Sequence, residues 1–384
     1  MNIYLYLKHF PPLGDDLNEG TRKAVHGLAI GLAHQGASVT VLCEGVQDSL
    51  TQTDYGYSIQ CFANPRSGSY RSVAESASFN IAPGLEPFIR DRQQDSLFIL
   101  NGIFHRSLYS FGKLLRKYAV PYIVAPHDPY HPAIFKKNAH LKLPYWHLIE
   151  KPLLNRAIAI QVLDKRHGQW LQRLQVNPPV IEVPNGFSPT DVMAEAALDW
   201  RTEGRCKLIF LGRLDAYNKG LDLLLEAFAQ VVKTNDVELV LQGPDWGDRS
   251  VLKVQATQLG IADRVTFLQP DYDRSPSDII ANHDIFCVPS RFEGFSLSGL
   301  EAMLAGRVIL ISEIAGLAPH ITASCCGVVV QPDVQAIARG LETLLNQRSA
   351  WQEMGLNGRA YALKHLDWNQ IGAQALQDYA RLMP

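Results

Sequence analysis

Two carboxylates, two cations and the mouth of a helix carry the chemistry visible in this sequence. Glu293 and Glu301 stand with seven residues between them in Arg291-Phe-Glu-Gly-Phe-Ser-Leu-Ser-Gly-Leu-Glu301. The apolar run Ala302-Met-Leu-Ala305 that follows predicts a helix, and Ser296 and Ser298 are natural N-cap candidates because a hydroxyl can satisfy a first-turn amide. A helix N-terminus approached through small residues (Gly294, Ser296, Ser298, Gly299) favours an anion, since unpaired amides and the macrodipole act together. At helical rise the two glutamates stand on the order of 10 Å apart. That spacing suits a long ligand with hydroxyls at both ends and a diphosphate between them. Upstream, Gly212-Arg213-Leu-Asp-Ala-Tyr-Asn-Lys219-Gly220 follows a strand-like segment, with Lys219 expected to start the next helix. Arg213 supplies a forked donor and Lys219 a mobile point charge, and each charge-assisted bond to a phosphate contributes about 1.5–3 kcal/mol. The plainer account is a capped core helix with one exposed glutamate, a surface arginine and a helix-start lysine. The last is electrostatically disfavoured unless an anion arrives.

The elements that must position these residues alternate. Asn2 to Leu7 reads as a strand, residues 21–34 as a helix and Ser38 to Cys43 as a strand, a βαβ unit that implies a parallel sheet. Gly20 precedes that first helix, where a missing side chain lets a phosphate approach the backbone; it reads equally as a turn glycine. The loop before it is acidic at Asp15 and Asp16. A strand near 57–62 and a helix over 72–90, broken at Pro83-Gly84, are expected next. Strands over 96–101 and 122–125 deliver the loops Asn101-Gly-Ile-Phe-His105-Arg106 and Pro126-His127-Asp-Pro-Tyr-His131. Ligands gather at the carboxyl ends of such strands, so both loops point at a cleft. Pro129 between His127 and His131 disfavours a helical metal pair.

From Ile134 to Asn155 the chain is basic and aromatic, with Lys136, Lys137, Lys142 and Lys151 beside Tyr145 and Trp146. It reads as a rim for an anionic acceptor or acidic lipid, or as a solvated helix face with snorkelling lysines. A strand over 157–163, a helix over 165–174 and a strand over 180–183 follow, and Ser188 to Glu203 reads as an interdomain connection. The second half restarts at Lys207 and alternates to about Val330, again implying a parallel sheet flanked by helices.

At 384 residues two or three domains are expected. A formal charge of −2 argues against a nucleic-acid partner, and six cysteines without C-x-x-C spacing indicate neither a zinc site nor a disulfide framework. A cytoplasmic location is expected, with peripheral contact at the inner membrane face an option. No run of about eighteen apolar residues predicts a spanning helix, and the chain starting directly with a strand predicts no signal peptide. Asp271-Tyr-Asp273 reads as a solvated loop rather than a Mg²⁺ or Mn²⁺ site. Gly294-Phe-Ser-Leu-Ser298 fails the hydrolase elbow at its last position. No phosphate-binding P-loop occurs, and Gly27, Gly31 and Gly36 do not form a dinucleotide fingerprint.

The Glu293–Glu301 stretch, the Gly212–Phe228 segment and Pro184-Asn-Gly186 together resemble the family 4 retaining nucleotide-sugar glycosyltransferases, along nearly the whole chain. The resemblance implies an α/β GT-B fold: two Rossmann-like domains facing each other across a cleft, with a C-terminal helix crossing back. The acceptor domain would be 1–186, the nucleotide-sugar domain 187–366, and the returning helix 367–384. It implies catalytic roles for Glu293, His127, Arg213 and Lys219, with Glu293 and His127 at the donor sugar and Glu301 on the ribose hydroxyls. Donor contacts are implied for Gly20, where the family's paired glycines are replaced by Glu19-Gly20, and for Gly243, Leu268 and Gln269. They are also implied for Gly294, Phe295, Ser296, Leu297 and Ser298. His105, Arg106 and Lys136 could hold an acceptor phosphate.

The reaction implied is transfer of a hexose with retention from a nucleotide diphosphate sugar, a UDP-sugar such as UDP-glucose ahead of ADP- or GDP-sugars, with no essential metal or other cofactor. The acceptor would be a glycan, a lipid-linked saccharide or a small sugar phosphate, as in sucrose-phosphate synthases. A nucleotide-sugar 2-epimerase and a non-catalytic sugar-nucleotide-binding protein are the alternatives.

Overall fold

The computed structural model describes residues 1–11, 19–65, 78–135 and 138–383. They form two compact units, Met1–Gly186 with Trp368–Pro384, and Phe187–Asp367. The chain thus leaves its first unit after the Pro-Asn-Gly turn and returns to it for its last helix.

The first unit is built on an eight-stranded sheet in the order β3-β4-β2-β1-β5-β6-β7-β8. The strands are β1 (Asn2–Tyr6), β2 (Ser38–Gly45), β3 (Ser49–Gln52), β4 (Ser58–Ala63), β5 (Ser96–Asn101), β6 (Tyr122–Ala125), β7 (Ala159–Val162) and β8 (Val180–Glu182). All pairs are parallel except β3 on β4. Central strands β5 and β6 are buried along their whole length, which is why they read as continuous apolar runs rather than alternating ones. The short antiparallel β3 was not foreseen, because its burial alternates and half of its residues are exposed. Residues 78–84 are not helical and the helix there spans only Leu85–Arg90, since Pro83-Gly84 ends rather than kinks the pattern. The remainder of the predicted 72–90 helix, through residue 77, lies outside the described residues, as do Asp15 and Asp16.

Helix Trp368–Leu382 packs along helix Gly20–His34 within this unit. A Cβ on Gly27 would sit 2.1 Å from the Trp368 ring, and one on Gly31 2.1 Å from the Trp368 carbonyl oxygen. Two of the glycines that failed as a nucleotide fingerprint, Gly27 and Gly31, therefore serve close helix packing. Tyr379, buried at the far end, donates its hydroxyl to Gln161 Oε1 of β7.

The second unit holds a six-stranded parallel sheet in the order β11-β10-β9-β12-β13-β14. Its strands are β9 (Cys206–Leu211), β10 (Val237–Gln242), β11 (Val265–Leu268), β12 (Ile285–Val288), β13 (Val308–Ser312) and β14 (Gly327–Val330). The helix over Leu221–Val231 buries Leu221, Leu224, Leu225 and Phe228 at helical spacing, together with strand residues such as Leu208, Leu239 and Leu310 in one core. Strand order reverses at β9, which lies between β10 and β12, so the loops leaving β9 and β12 flank the switch point at the sheet's carboxyl end. In the first unit β1, between β2 and β5, plays the same part.

No described helix is long and apolar enough to cross a membrane. The six cysteines are free thiols.

Candidate active site

The loops leaving β9 and β12 are those that carry Arg213, Lys219 and Glu293, and they are joined to each other. The backbone amides of Arg291 and Phe292 both donate to the Asn218 carbonyl, at 3.0 and 3.2 Å. Arg291 also forks onto Asp222, at 2.6 and 2.7 Å, from the first turn of helix Leu221–Val231. Between the loops runs an ion pair: Lys219 Nζ lies 2.7 Å from Glu293 Oε2, both side chains largely buried at 17% and 13% exposure. Ser290 Oγ donates to the same carboxylate oxygen at 3.0 Å.

This changes two expectations. Lys219 does not begin the helix, because Gly220 is its left-handed N-cap (φ 65°) and Leu221 its first residue. Nor does Lys219 wait for an anion: Glu293 already neutralises it. A side chain at Gly220 is excluded twice, by its φ and by the Pro289 carbonyl oxygen, which lies 2.2 Å from the position of a Cβ.

The helix mouth is built as a cap. Ser296, itself left-handed at φ 86°, accepts the Gly299 amide at 3.1 Å, and helix Leu297–Leu304 follows. Ser298 is therefore inside the first turn and does not cap. The approach is pinned from behind, since the Gly316 and Leu317 amides donate to the Gly294 and Phe295 carbonyls, each at 3.1 Å. Phe295 is buried, its ring edge-on to His320, so only its backbone could meet a ligand. Leu297 and Ser298 are half-exposed, and Glu301 is buried on the inner side of the helix. Leu297 and Ser298 thus place at the surface the first-turn amides that a helix leaves unpaired.

Beyond β9 the ends of β10 and β11 complete one wall. Gly243 (φ 146°) follows β10 at a point where a Cβ would meet the Gly212 carbonyl oxygen at 2.0 Å. One Arg249 guanidinium nitrogen donates to the Gly243 and Leu268 carbonyls, both at 2.9 Å, tying the two strand ends together. Leu268 and Gln269 are exposed there, and the Gln269 carbonyl accepts from the Gln242 amide at 3.2 Å. Arg213 is exposed, with its guanidinium 4.5 Å from the centre of the Trp246 ring. Sequence reasoning missed Ser290, Asp222, Arg249 and Trp246. Of these, the position of Asp222 in the first turn of its helix was the available signal.

In the first unit His127 follows β6 with left-handed backbone (φ 64°) and is half-buried. Its Nε2 lies 2.8 Å from Asn101 Oδ1. The Asn101 amide group donates to the Tyr6 and Ile99 carbonyls, both at 3.2 Å, which fixes the oxygen toward His127. Nε2 therefore donates and Nδ1 keeps its lone pair. Burial pushes the imidazole pKa down to about 4, so the ring is neutral near pH 7.

His105 is the residue before helix Arg106–Lys117, and burial with the nearby Lys8 charge lowers its pKa. The Arg106 guanidinium lies 5.3 Å from the Phe79 ring centre and 6.0 Å from that of Tyr145. Lys136 lies outside the described residues. Gly20 is the exposed first residue of helix Gly20–His34. Asp271 and Asp273 form a turn, Asp271 Oδ1 accepting the Asp273 amide at 3.1 Å, and no cluster of three or more metal-ligating side chains occurs among the described residues.

A carboxylate that sequence reasoning passed over stabilises the His105 loop. Glu150, buried, accepts the Phe104 amide at 3.0 Å and the Tyr130 hydroxyl at 2.6 Å, and burial raises its pKa to about 7. It sits in a π-helical turn, Trp146–Glu150, of the basic and aromatic segment.

Two Rossmann-like units, each a largely parallel sheet with a strand-order reversal, are the architecture of the GT-B fold. Comparison with known proteins agrees. Residues 200–361 match the model of the glycosyl transferases group 1 and residues 19–186 that of a glycosyl transferase 4-like domain. The chain belongs to the group 1 glycosyltransferases. It is 26% identical over 288 residues to MMP alpha-(1->4)-mannosyltransferase of Mycolicibacterium hassiacum, covering 70% of this chain and 67% of that one. The chain spans about two thirds or less of the length of this and the next curated relatives it matches. Sucrose-phosphate synthase from Thermosynechococcus elongatus shares the fold with a TM-score of 0.79 at 20% identity, over 99% of this chain and 98% of that one. Anabaena HepE in complex with UDP and glucose superposes with a TM-score of 0.69 at 18% identity, over 99% and 100% of the two chains.

Proposed function

We propose that this protein transfers a hexose, with retention, from a UDP-sugar to a saccharide hydroxyl carried on a lipid. The observation that supports this most is the joining of the β9 and β12 loops through Lys219 and Glu293, beside a Ser296-capped helix mouth. A diphosphate seated there would draw on Arg213, on Lys219 and on the amides of Leu297 and Ser298. These donors stabilise the charge that develops on the departing diphosphate and are already oriented before it arrives. Glu293, bonded to Lys219 and Ser290, is held rigidly enough to accept a hydroxyl of the transferred sugar. Glu301 would take the ribose, and Leu268 and Gln269 the base. Neutral His127, with its Nδ1 lone pair, is suited to a hydrogen bond from the sugar rather than to a charge contact.

UDP is favoured by the likeness to HepE, which binds UDP and glucose. Glucose is favoured as the donor sugar by the same likeness, and mannose by the mannosyltransferase relative. A lipid carrier is favoured by Leu141, Leu143 and Leu148, which are 64%, 45% and 72% exposed beside Lys142 and Lys151. Exposed leucines interspersed with lysines are the composition of an interfacial segment. A sugar-phosphate acceptor has less support, since burial keeps His105 neutral and Arg106 lies near two aromatic rings.

The test follows nucleotide release from UDP-, ADP- and GDP-sugars against polyprenyl- and glycerolipid-linked saccharides and free sugar phosphates. Release from a UDP-sugar that requires a lipid-linked acceptor supports the proposal. Donor consumption without acceptor identifies an epimerase. Nucleotide binding without turnover identifies a sensor, and turnover only with sugar phosphates refutes the lipid carrier.

A further inference from the structure

The two predicted phosphate cations are held in different ways. Lys219 is committed to a carboxylate at 2.7 Å. Arg213 has no ion pair or side-chain hydrogen bond among the described residues and meets instead the face of Trp246, 4.5 Å from the ring centre. An indole face attracts a guanidinium through its quadrupole yet accepts none of its N–H groups in plane. A carboxylate in the same place would orient Arg213 by occupying the donors a phosphate needs.

The Trp246 backbone is fixed for this purpose. The loops after β9 and β10 run side by side, the Leu214 amide donating to the Pro244 carbonyl at 2.9 Å and Ala216 to the Asp248 carboxylate at 2.8 Å. Asp245 Oδ1 closes the turn by accepting the Gly247 and Arg249 amides, at 2.8 and 3.1 Å. The indole itself is 60% exposed, so it contributes little to the core.

We propose that Trp246 is a positioning residue: its ring presents Arg213 to the anionic end of the donor while leaving the guanidinium's N–H edge for phosphate oxygens. The inference rests on the donor site described above. It assigns no contact between Trp246 and the base.

Isothermal titration of the full chain with UDP, inorganic pyrophosphate and uridine tests it in the wild type, Trp246→Ala, Trp246→Phe, Arg213→Ala and the Trp246→Ala/Arg213→Ala double variant. Trp246→Ala should weaken UDP and pyrophosphate about 2–5-fold, the range of an exposed cation–π contact, and leave uridine unchanged. Trp246→Phe should recover most of the loss. In the Arg213→Ala background the Trp246 substitution should have no further effect, the non-additivity expected of a residue that acts through another. Unchanged UDP binding in a folded Trp246→Ala would overturn the inference and leave the donor site standing. Equal weakening of uridine would also overturn it, making Trp246 a base platform, as would additive losses in the double variant. If the wild type binds neither UDP nor pyrophosphate, the donor site and the inference fall together.

Discussion

The loops that carry the candidate site residues are held differently in the two units. In the second unit, charge is set against charge across adjoining loops: Lys219 on Glu293 and Arg291 on Asp222. In the first, a buried Lys8–Glu44 pair lies at the ends of β1 and β2, but the groups at the His127 and His105 loops are held by burial and by one another: His127 on Asn101, and Glu150 on Tyr130 and the Phe104 amide. The first arrangement resists dehydration because each ion brings its partner. The second depends on dehydration, which keeps His127 unprotonated and favours protonated Glu150. A site of paired ions suits a charged ligand that enters by exchanging partners. A site of neutral donors and acceptors suits hydroxyls.

The sharpest way to break this contrast is to unpair the second unit's ions. Lys219→Ala leaves Glu293 largely buried with only Ser290 on its shared oxygen, and should reduce turnover about 10²–10³-fold, as loss of a preorganised electrostatic group does. It should also lower stability by about 1–3 kcal/mol, less than the ~3–5 kcal/mol of breaking a fully buried pair. Adding Glu293→Gln should return much of the stability and none of the turnover. Denaturant unfolding with a nucleotide-release assay checks both. If the double variant stays as unstable as the single, the pair is not the source of the loss.

How far each unit was legible follows from the same contrast. Arg213, Lys219, Glu293 and Ser296 all lie in the loops that directly follow β9 and β12, so local spacing exposes them. Both sheets were legible too, because buried parallel strands read as apolar runs. Spacing did not show that Lys219 and Glu293 meet, since 74 residues separate them and only the β9–β12 adjacency brings them together. Glu150 was invisible for a related reason. In a run of lysines and aromatics it reads as one more solvated charge, and only the fold places it under Tyr130 and Phe104. Edge strand β3 and the shortened helix before β5 were missed because neither buries a full periodic face.

In the first unit the contrast is sharpened at Asn101. Asn101→Leu removes the acceptor that fixes the His127 tautomer and leaves the Tyr6 and Ile99 carbonyls without that donor. The expected cost is about 2–3 kcal/mol. Asn101→Asp should instead raise the His127 pKa by placing a carboxylate on Nε2, an upward shift that NMR titration of the ring would register. A ring that titrates the same in both proteins would show that burial alone controls it.

The smallest effect is in the pH dependence of stability, where His127 and Glu150 pull in opposite directions. His127 is held neutral to about pH 4 in the fold, whereas an unfolded histidine protonates near 6.5. Its contribution is present above about pH 6.5 and is lost as pH falls through about 4. Glu150 is held protonated up to about pH 7, whereas an unfolded glutamate ionises near 4.3. Its contribution is present below about pH 4.3 and is lost as pH rises through about 7. Between those limits the slopes oppose each other, and from about pH 6.5 to 8 that of Glu150 remains. Glu150→Gln keeps an oxygen for the Phe104 amide and the Tyr130 hydroxyl but cannot titrate. Relative to the wild type, it should gain a little under 1 kcal/mol between pH 6.5 and 8. Taking the difference between the two proteins at each pH cancels the other titrating groups. A difference that stays flat across this range would mean that Glu150 is already ionised, and that the His105 loop, like the loops of the second unit, is held by a true charge.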